Sequence, residues 1–211
     1  MKTEQLLAAL VADRASGPRS SGRALALALL AGGVISLGLF LAALGPRADL
    51  AAALATWRFD VKIVAVLLAV GLAFRLCRAV SRPLPVAHPG RFLLPLAALA
   101  AVAVAIELAD VPMAAWRARL VGSNALICLA AVPAFSLAPL VALLAMLRST
   151  APASPALAGA AAGLLAAASG AALYAFHCFD DSPLFVVTWY SLAALIVMTV
   201  GGLAGRRVLR W

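Results

Sequence analysis

Apolar residues in this chain come in long unbroken runs separated by short polar breaks, and the runs are the length of a bilayer crossing. The pattern predicts helical spans over about Ala24–Leu44, Phe59–Leu76, Phe92–Ala109, Leu120–Leu147, Pro155–His177 and Pro183–Ala204. Gly45-Pro46-Arg47 ends the first run. Ser154 before Pro155, and Asp181-Ser182 before Pro183, read as helix starts with a capping side chain and proline at the first helical position. The fourth run is over-long and contains Pro133 and Pro139, so a bend or tilt is expected there. Gly159-x-x-x-Gly163 and Gly201-x-x-x-Gly205 would let helix backbones approach closely.

Before the first run lies a polar leader, Met1–Arg23. Within it Thr3 to Val11 reads as a short helix, with Leu6, Leu7, Leu10 and Val11 forming one narrow apolar stripe. Gly17 and Pro18 break it into a flexible link. The stripe fits either of two surfaces, a groove on a partner protein or the lipid surface. The expected organisation is thus a cytosolic leader over 1–23, a six-helix transmembrane domain over 24–205 and a basic tail over 206–211.

Composition narrows the class. With 65% apolar and 12% charged residues over 211 positions, the chain carries more apolar surface than a soluble domain of that size can bury. A soluble enzyme, a disordered tail and a disulfide-rich secreted module are excluded. The expected fold is all-α, a polytopic membrane bundle. A formal charge of +9 invites a nucleic-acid reading, but the basic residues sit in clusters between apolar runs, as charges that orient spans do. With the N-terminus inside, twelve of the seventeen Lys and Arg residues fall in inside segments; Arg47, Arg58, Lys62, Arg117 and Arg119 fall outside. Both termini are therefore expected in the cytosol. Lys62 and Arg75, near the ends of the second span, are expected to snorkel to the interface. Glu107 and Asp110 are expected to be solvated.

Candidate chemistry is sparse. In this topology Cys128 and Cys178 fall toward the extracytoplasmic side, where a disulfide can persist, and Cys77 falls at the inner end of the second span. All three could equally be small buried hydrophobes. His177 precedes Cys178, Asp180 and Asp181 follow it, and Asn124 lies one turn before Cys128. Two sulfurs and the His177 imidazole could hold a soft metal ion; alternatively, His177 and the two aspartates simply end a helix in water. No resident cofactor and no catalytic grouping is indicated.

The stretch Ala175-Phe176-His177-Cys178-Phe179-Asp180-Asp181-Ser182-Pro183-Leu184-Phe185, followed by Trp189-Tyr190 and Gly205-Arg206-Arg207, resembles the signature of the NrsF-type negative regulators of sigma factors. The opening Met1-Lys2-Thr3-Glu4-Gln5-Leu6 and the six-span layout fit the same family. The resemblance implies a bacterial inner-membrane anti-sigma factor, not an enzyme, that holds an extracytoplasmic-function sigma factor until stress releases it. It also implies that Cys128 and Cys178, with His177 beside them, sense oxidative or heavy-metal stress. The leader stripe then becomes the expected sigma-docking element. Rival readings are a membrane thiol oxidoreductase, a small transporter and a passive assembly subunit. The first lacks a C-x-x-C pair, and the second lacks clear polar groups at the midplane.

Overall fold

A computed structural model describes residues 21–210, with side chains from Gly22 onward. The helices are α1 (Ser21–Ala43), the short α2 (Leu50–Ala53), α3 (Trp57–Val80), α4 (Leu94–Asp110), α5 (Met113–Val121), α6 (Ala125–Leu147), α7 (Pro155–Ala175), α8 (Pro183–Phe185) and α9 (Ser191–Val208). A 3₁₀ turn, Pro89–Leu93, leads into α4. A π-helical turn, Val186–Tyr190, joins α8 to α9 as one continuous rod. There is no strand among the described residues. Among the described residues six helices are long and apolar enough to cross a membrane. Large apolar side chains such as Leu27, Val34, Leu67, Leu126 and Val141 stand exposed on the outside of the bundle. Such a surface suits hydrocarbon as solvent and would not be stable in water.

Helix α7 is the axis of the bundle and packs against α9, α6 and α3. Small residues make this possible. A Cβ on Gly163 would lie 2.6 Å from the Val197 carbonyl, and one on Gly205 would lie 2.8 Å from Gly159 Cα. The two small-residue motifs expected to bring backbones together therefore meet each other. Ser154 caps α7 as expected, its hydroxyl accepting from the Leu157 amide at 3.3 Å.

The fourth span differs from expectation. It does not run from Leu120 to Leu147 as one helix. The chain breaks at Gly122, which adopts φ +60°, and α6 starts at Ala125. Cys128 is consequently in the first turn of α6. Both prolines remain inside α6. Pro139 has no N–H to offer the carbonyl of Phe135, and Ser36 of α1 donates to that carbonyl at 2.6 Å. Gly32 admits the contact, since a Cβ there would lie 2.5 Å from Pro139 Cα. In an apolar medium a side chain from the neighbouring helix thus replaces the missing backbone donor.

The core has two clusters. One contains Leu25 and Leu209 together with Cys77, Leu143, Leu147 and Leu165, and so lies at the end of the bundle where the described segment begins and ends. The other contains Phe40, Cys128, Val132, Tyr174, Cys178, Phe185 and Tyr190.

Close helix contact at the α7–α9 seam is expected to show in stability. Gly163→Val forces an overpacked backbone contact and is expected to cost about 1–3 kcal/mol. Gly33→Val meets nothing within 4 Å and is expected to be near neutral. Thermal unfolding of the two purified variants checks the difference.

Candidate functional site

The segment between α7 and α8 is rich in polar groups, and each is tied to a different part of the bundle. The α3 ammonium of Lys62 donates to the Cys178 carbonyl at 2.9 Å and pairs with the Asp181 carboxylate. The Arg47 guanidinium donates to the same carbonyl at 3.2 Å, to Asp181 at 2.8 Å and to both oxygens of Asp49. The Arg47 amide donates to the Phe176 carbonyl at 2.9 Å. His177 Nδ1 lies 2.9 Å from the Gly45 carbonyl. Asp180 accepts from the Asn124 amide at 2.8 Å and from the Ser123 amide at 3.0 Å, at the start of α6. A carboxylate at a helix N-terminus satisfies orphan donors and opposes the positive dipole end.

A second ion-pair group lies beside the first. Glu107 of α4 has no exposed surface; it accepts from Arg58 at 2.7 Å and from the Ser182 hydroxyl at 3.0 Å. Arg119 of α5 approaches it at 3.7 Å. Trp189 in the π turn donates to the Leu120 carbonyl at 2.8 Å, which fastens α5 to the last span.

These contacts correct four expectations. Lys62 does not snorkel; it is 1% exposed and turned inward to a carboxylate. Glu107 is buried and paired, while Asp110 is exposed as expected. Ser182 makes no helix cap, because its hydroxyl serves Glu107 instead. His177, Asp180 and Asp181 do not merely end a helix in water; each holds the loop to another element. The signal that could have marked Lys62 and Glu107 was present: an ionisable residue within an apolar run is costly unless paired.

Cys128 and Cys178 lie in the same core cluster, both with no exposed surface, and are unbridged. Burial pushes the Cys178 thiol above its ordinary range, with the Lys62 ammonium pulling it back. Its sulfur lies 3.7 Å from the Asp180 carbonyl. Cys77 belongs to the other cluster, so it cannot join the pair. The expected three-ligand metal set is not assembled. Among the described residues no group of three or more His, Cys, Asp or Glu could hold a metal ion, and the His177 ring is engaged with the Gly45 carbonyl. The stripe residues Leu6, Leu7, Leu10 and Val11 lie outside the described residues. Outside the spans, Asp49 is held below the usual carboxylate range by the Arg47 guanidinium, which is itself raised by that partner.

The profile of the family described as negative regulator of sigma F matches residues 10–211. The chain belongs to the NrsF family. It is 36% identical to "Probable anti-sigma-F factor NrsF" of Azospira oryzae, with both chains covered in full. It is also 36% identical to "Anti-sigma-F factor NrsF" of Caulobacter vibrioides, again over the full length of both. No solved structure matches the chain. The structure thus places the signature loop of this NrsF-family chain at the end of the bundle away from Leu25 and Leu209.

The buried pair at that loop is expected to dominate its stability. Removing one partner strands the other in an apolar site, so Lys62→Met is expected to cost roughly 3 kcal/mol. Asp110→Asn, at an exposed carboxylate, is expected to stay within about 0.5 kcal/mol of the parent. Thermal melts in the same detergent compare the two.

Proposed function

We propose that this chain is an inner-membrane anti-sigma factor that holds an extracytoplasmic-function sigma factor at the cytosolic face and releases it under oxidative or heavy-metal stress. The observation that carries this reading is the full-length match to two anti-sigma-F factors. The charge pattern supports the orientation. Arg23, Arg78, Arg82, Arg148, Arg206 and Arg207 belong to the segments expected at the cytosolic face. The loop carrying Cys178 then faces the periplasm, where thiols can be oxidised.

Oxidation would join the Cys128 and Cys178 sulfurs, with two electrons passing to the oxidant and two protons to water. A soft cation would instead displace both thiol protons and bind the two sulfurs. Bridging needs Cα atoms within about 7 Å. Either event alters the distance between the start of α6 and the end of α7. Those two helix ends are the ones that Asp180, Asn124 and Ser123 clip together. Moving the bundle from almost fully holding to almost fully releasing requires roughly 5.5 kcal/mol of differential stabilisation. A disulfide or tight thiolate ligation is of that order.

On the cytosolic side, the leader stripe Leu6, Leu7, Leu10 and Val11 would lie in a groove of the sigma factor, as amphipathic helices do. Leu6→Asp combined with Leu10→Asp is expected to abolish co-purification of the sigma factor from membranes while leaving the bundle folded. Cys128→Ser combined with Cys178→Ser is expected to keep the sigma factor bound and to eliminate its release by oxidant or cadmium. Normal induction of the regulon in that double variant would refute the sensing half of the proposal.

A further inference from the structure

The end of the bundle that holds Leu25 and Leu209 carries an apolar groove that the signature loop does not use. It has a volume of about 190 Å³ and lies between the segment leaving α3, with Val80, Leu84, Pro85 and Val86, and the start of α7, with Ala153 and Leu157. A cavity of about 150 Å³ takes a benzene-sized group, so this groove admits a leucine side chain. Its polar lining side chain, Ser154, is committed to the Leu157 amide. Leu84 is 71% exposed. The space therefore suits an apolar occupant, and nothing among the described residues covers it.

The chain itself supplies a candidate. Residues 1–20 precede the described segment and join it beside the groove. A Cβ on Gly22 would lie 3.3 Å from Arg78 Nε. Arg78 is in the last turn of α3, which ends on Val80 of the groove. Leu25 and Val80 share one core cluster, and Val86 and Leu157 pack against it. The dozen residues from Leu10 to Gly22 span about 20 Å as coil, enough to bring the leader stripe back over the end of α3.

Charge favours the same occupant. Arg78, Arg82, Arg91 and Arg148 stand exposed on the segments at this end. The ion pairs printed by the geometry of the described residues all involve outer-end groups. Asp49, Asp60, Glu107, Asp110, Asp180 and Asp181 belong to that outer end, which leaves Glu4 and Asp13, before and after the stripe, as the remaining acids of the chain. The leader also holds Lys2, Arg14 and Arg19. Charge thus orients the contact, and the stripe supplies it.

We infer that the leader docks on its own bundle, seating Leu6, Leu7, Leu10 and Val11 against the groove formed by the end of α3 and the start of α7. A leader seated there cannot also lie in a groove of a sigma factor, because the same four side chains serve both contacts. The bundle and the sigma factor therefore compete for one segment, and the contact is self-masking. This consequence rests on the reading of the stripe as the sigma-docking element.

The test uses the full chain in lipid nanodiscs without sigma factor. Cys77, Cys128 and Cys178 have no exposed surface, so they stay in place while introduced surface thiols react with a short bismaleimide. Leu10→Cys is paired with Leu84→Cys or with Ala153→Cys, the second leaving Leu84 intact. The control pairs Leu10→Cys with Val208→Cys, an exposed position at the same end that does not line the groove. Both groove pairs are expected to cross-link within one chain about tenfold faster than the control, because docking adds to the effective concentration that the tether alone provides. Adding Leu6→Asp is expected to return the rate to that of the control. Equal rates for groove and control pairs overturn the inference. So do cross-links formed only between differently tagged copies, which would make a second chain the occupant. Quenching of a fluorophore on Leu10→Cys by brominated lipid, with no groove cross-link, assigns the stripe to the lipid surface and overturns it as well. Sigma factor is absent throughout, so a failure here leaves the co-purification test standing, and the reverse also holds.

Discussion

A lysine ammonium with no exposed side-chain surface, placed in an apolar bundle, constrains everything around it. Burying such a charge alone would cost several kcal/mol, so Lys62 must have a carboxylate and an acceptor at hand. Asp181 and the Cys178 carbonyl supply them, and Arg47 doubles the arrangement from the first interhelical loop. The loop after α7 therefore has one position in which its charges are satisfied. That position puts Asp180 at the N-terminus of α6, Ser182 on Glu107 and Cys178 in the core beside Cys128. The site is thus held by electrostatics on its outer side and by apolar packing on its inner side.

The rest of the bundle shows how an apolar solvent changes the rules of packing. No hydrophobic force draws lipid-exposed helices together, so contact depends on shape and on satisfied backbone groups. The glycines of α7 and α9 allow one pair of helices to touch backbone to backbone. Ser36 does the same service for α1 and α6 by serving the carbonyl that Pro139 leaves free. These tight seams surround α7, whose last turn carries Tyr174 and leads directly into Cys178.

Much of this was readable along the chain, and the failures have a common origin. Span number, approximate span limits, the Ser154 cap and the presence of two close-packing small-residue motifs follow from local composition and period, which act over a few residues. Lys62, Glu107 and Ser182 were misjudged because their partners are distant in sequence: Asp181 and Cys178 for Lys62, Arg58 and Ser182 for Glu107. The helix break at Gly122 was missed for a related reason. The φ of +60° there is compensated by Asp180 and Phe185, which pack where a Cβ would stand.

By itself, then, the order of residues determined that this chain is a six-helix, membrane-type bundle, and its signature loop pointed to the NrsF family. Both depend on hydrophobic period and on motif. Only the tertiary structure decided that the signature aspartates are structural clamps, that both thiols of the outer cluster are buried, and that His177 is committed to a backbone carbonyl. Desolvation is the reason. Whether a polar side chain is worth burying depends on which donors and acceptors meet it in space, and no local pattern contains that information.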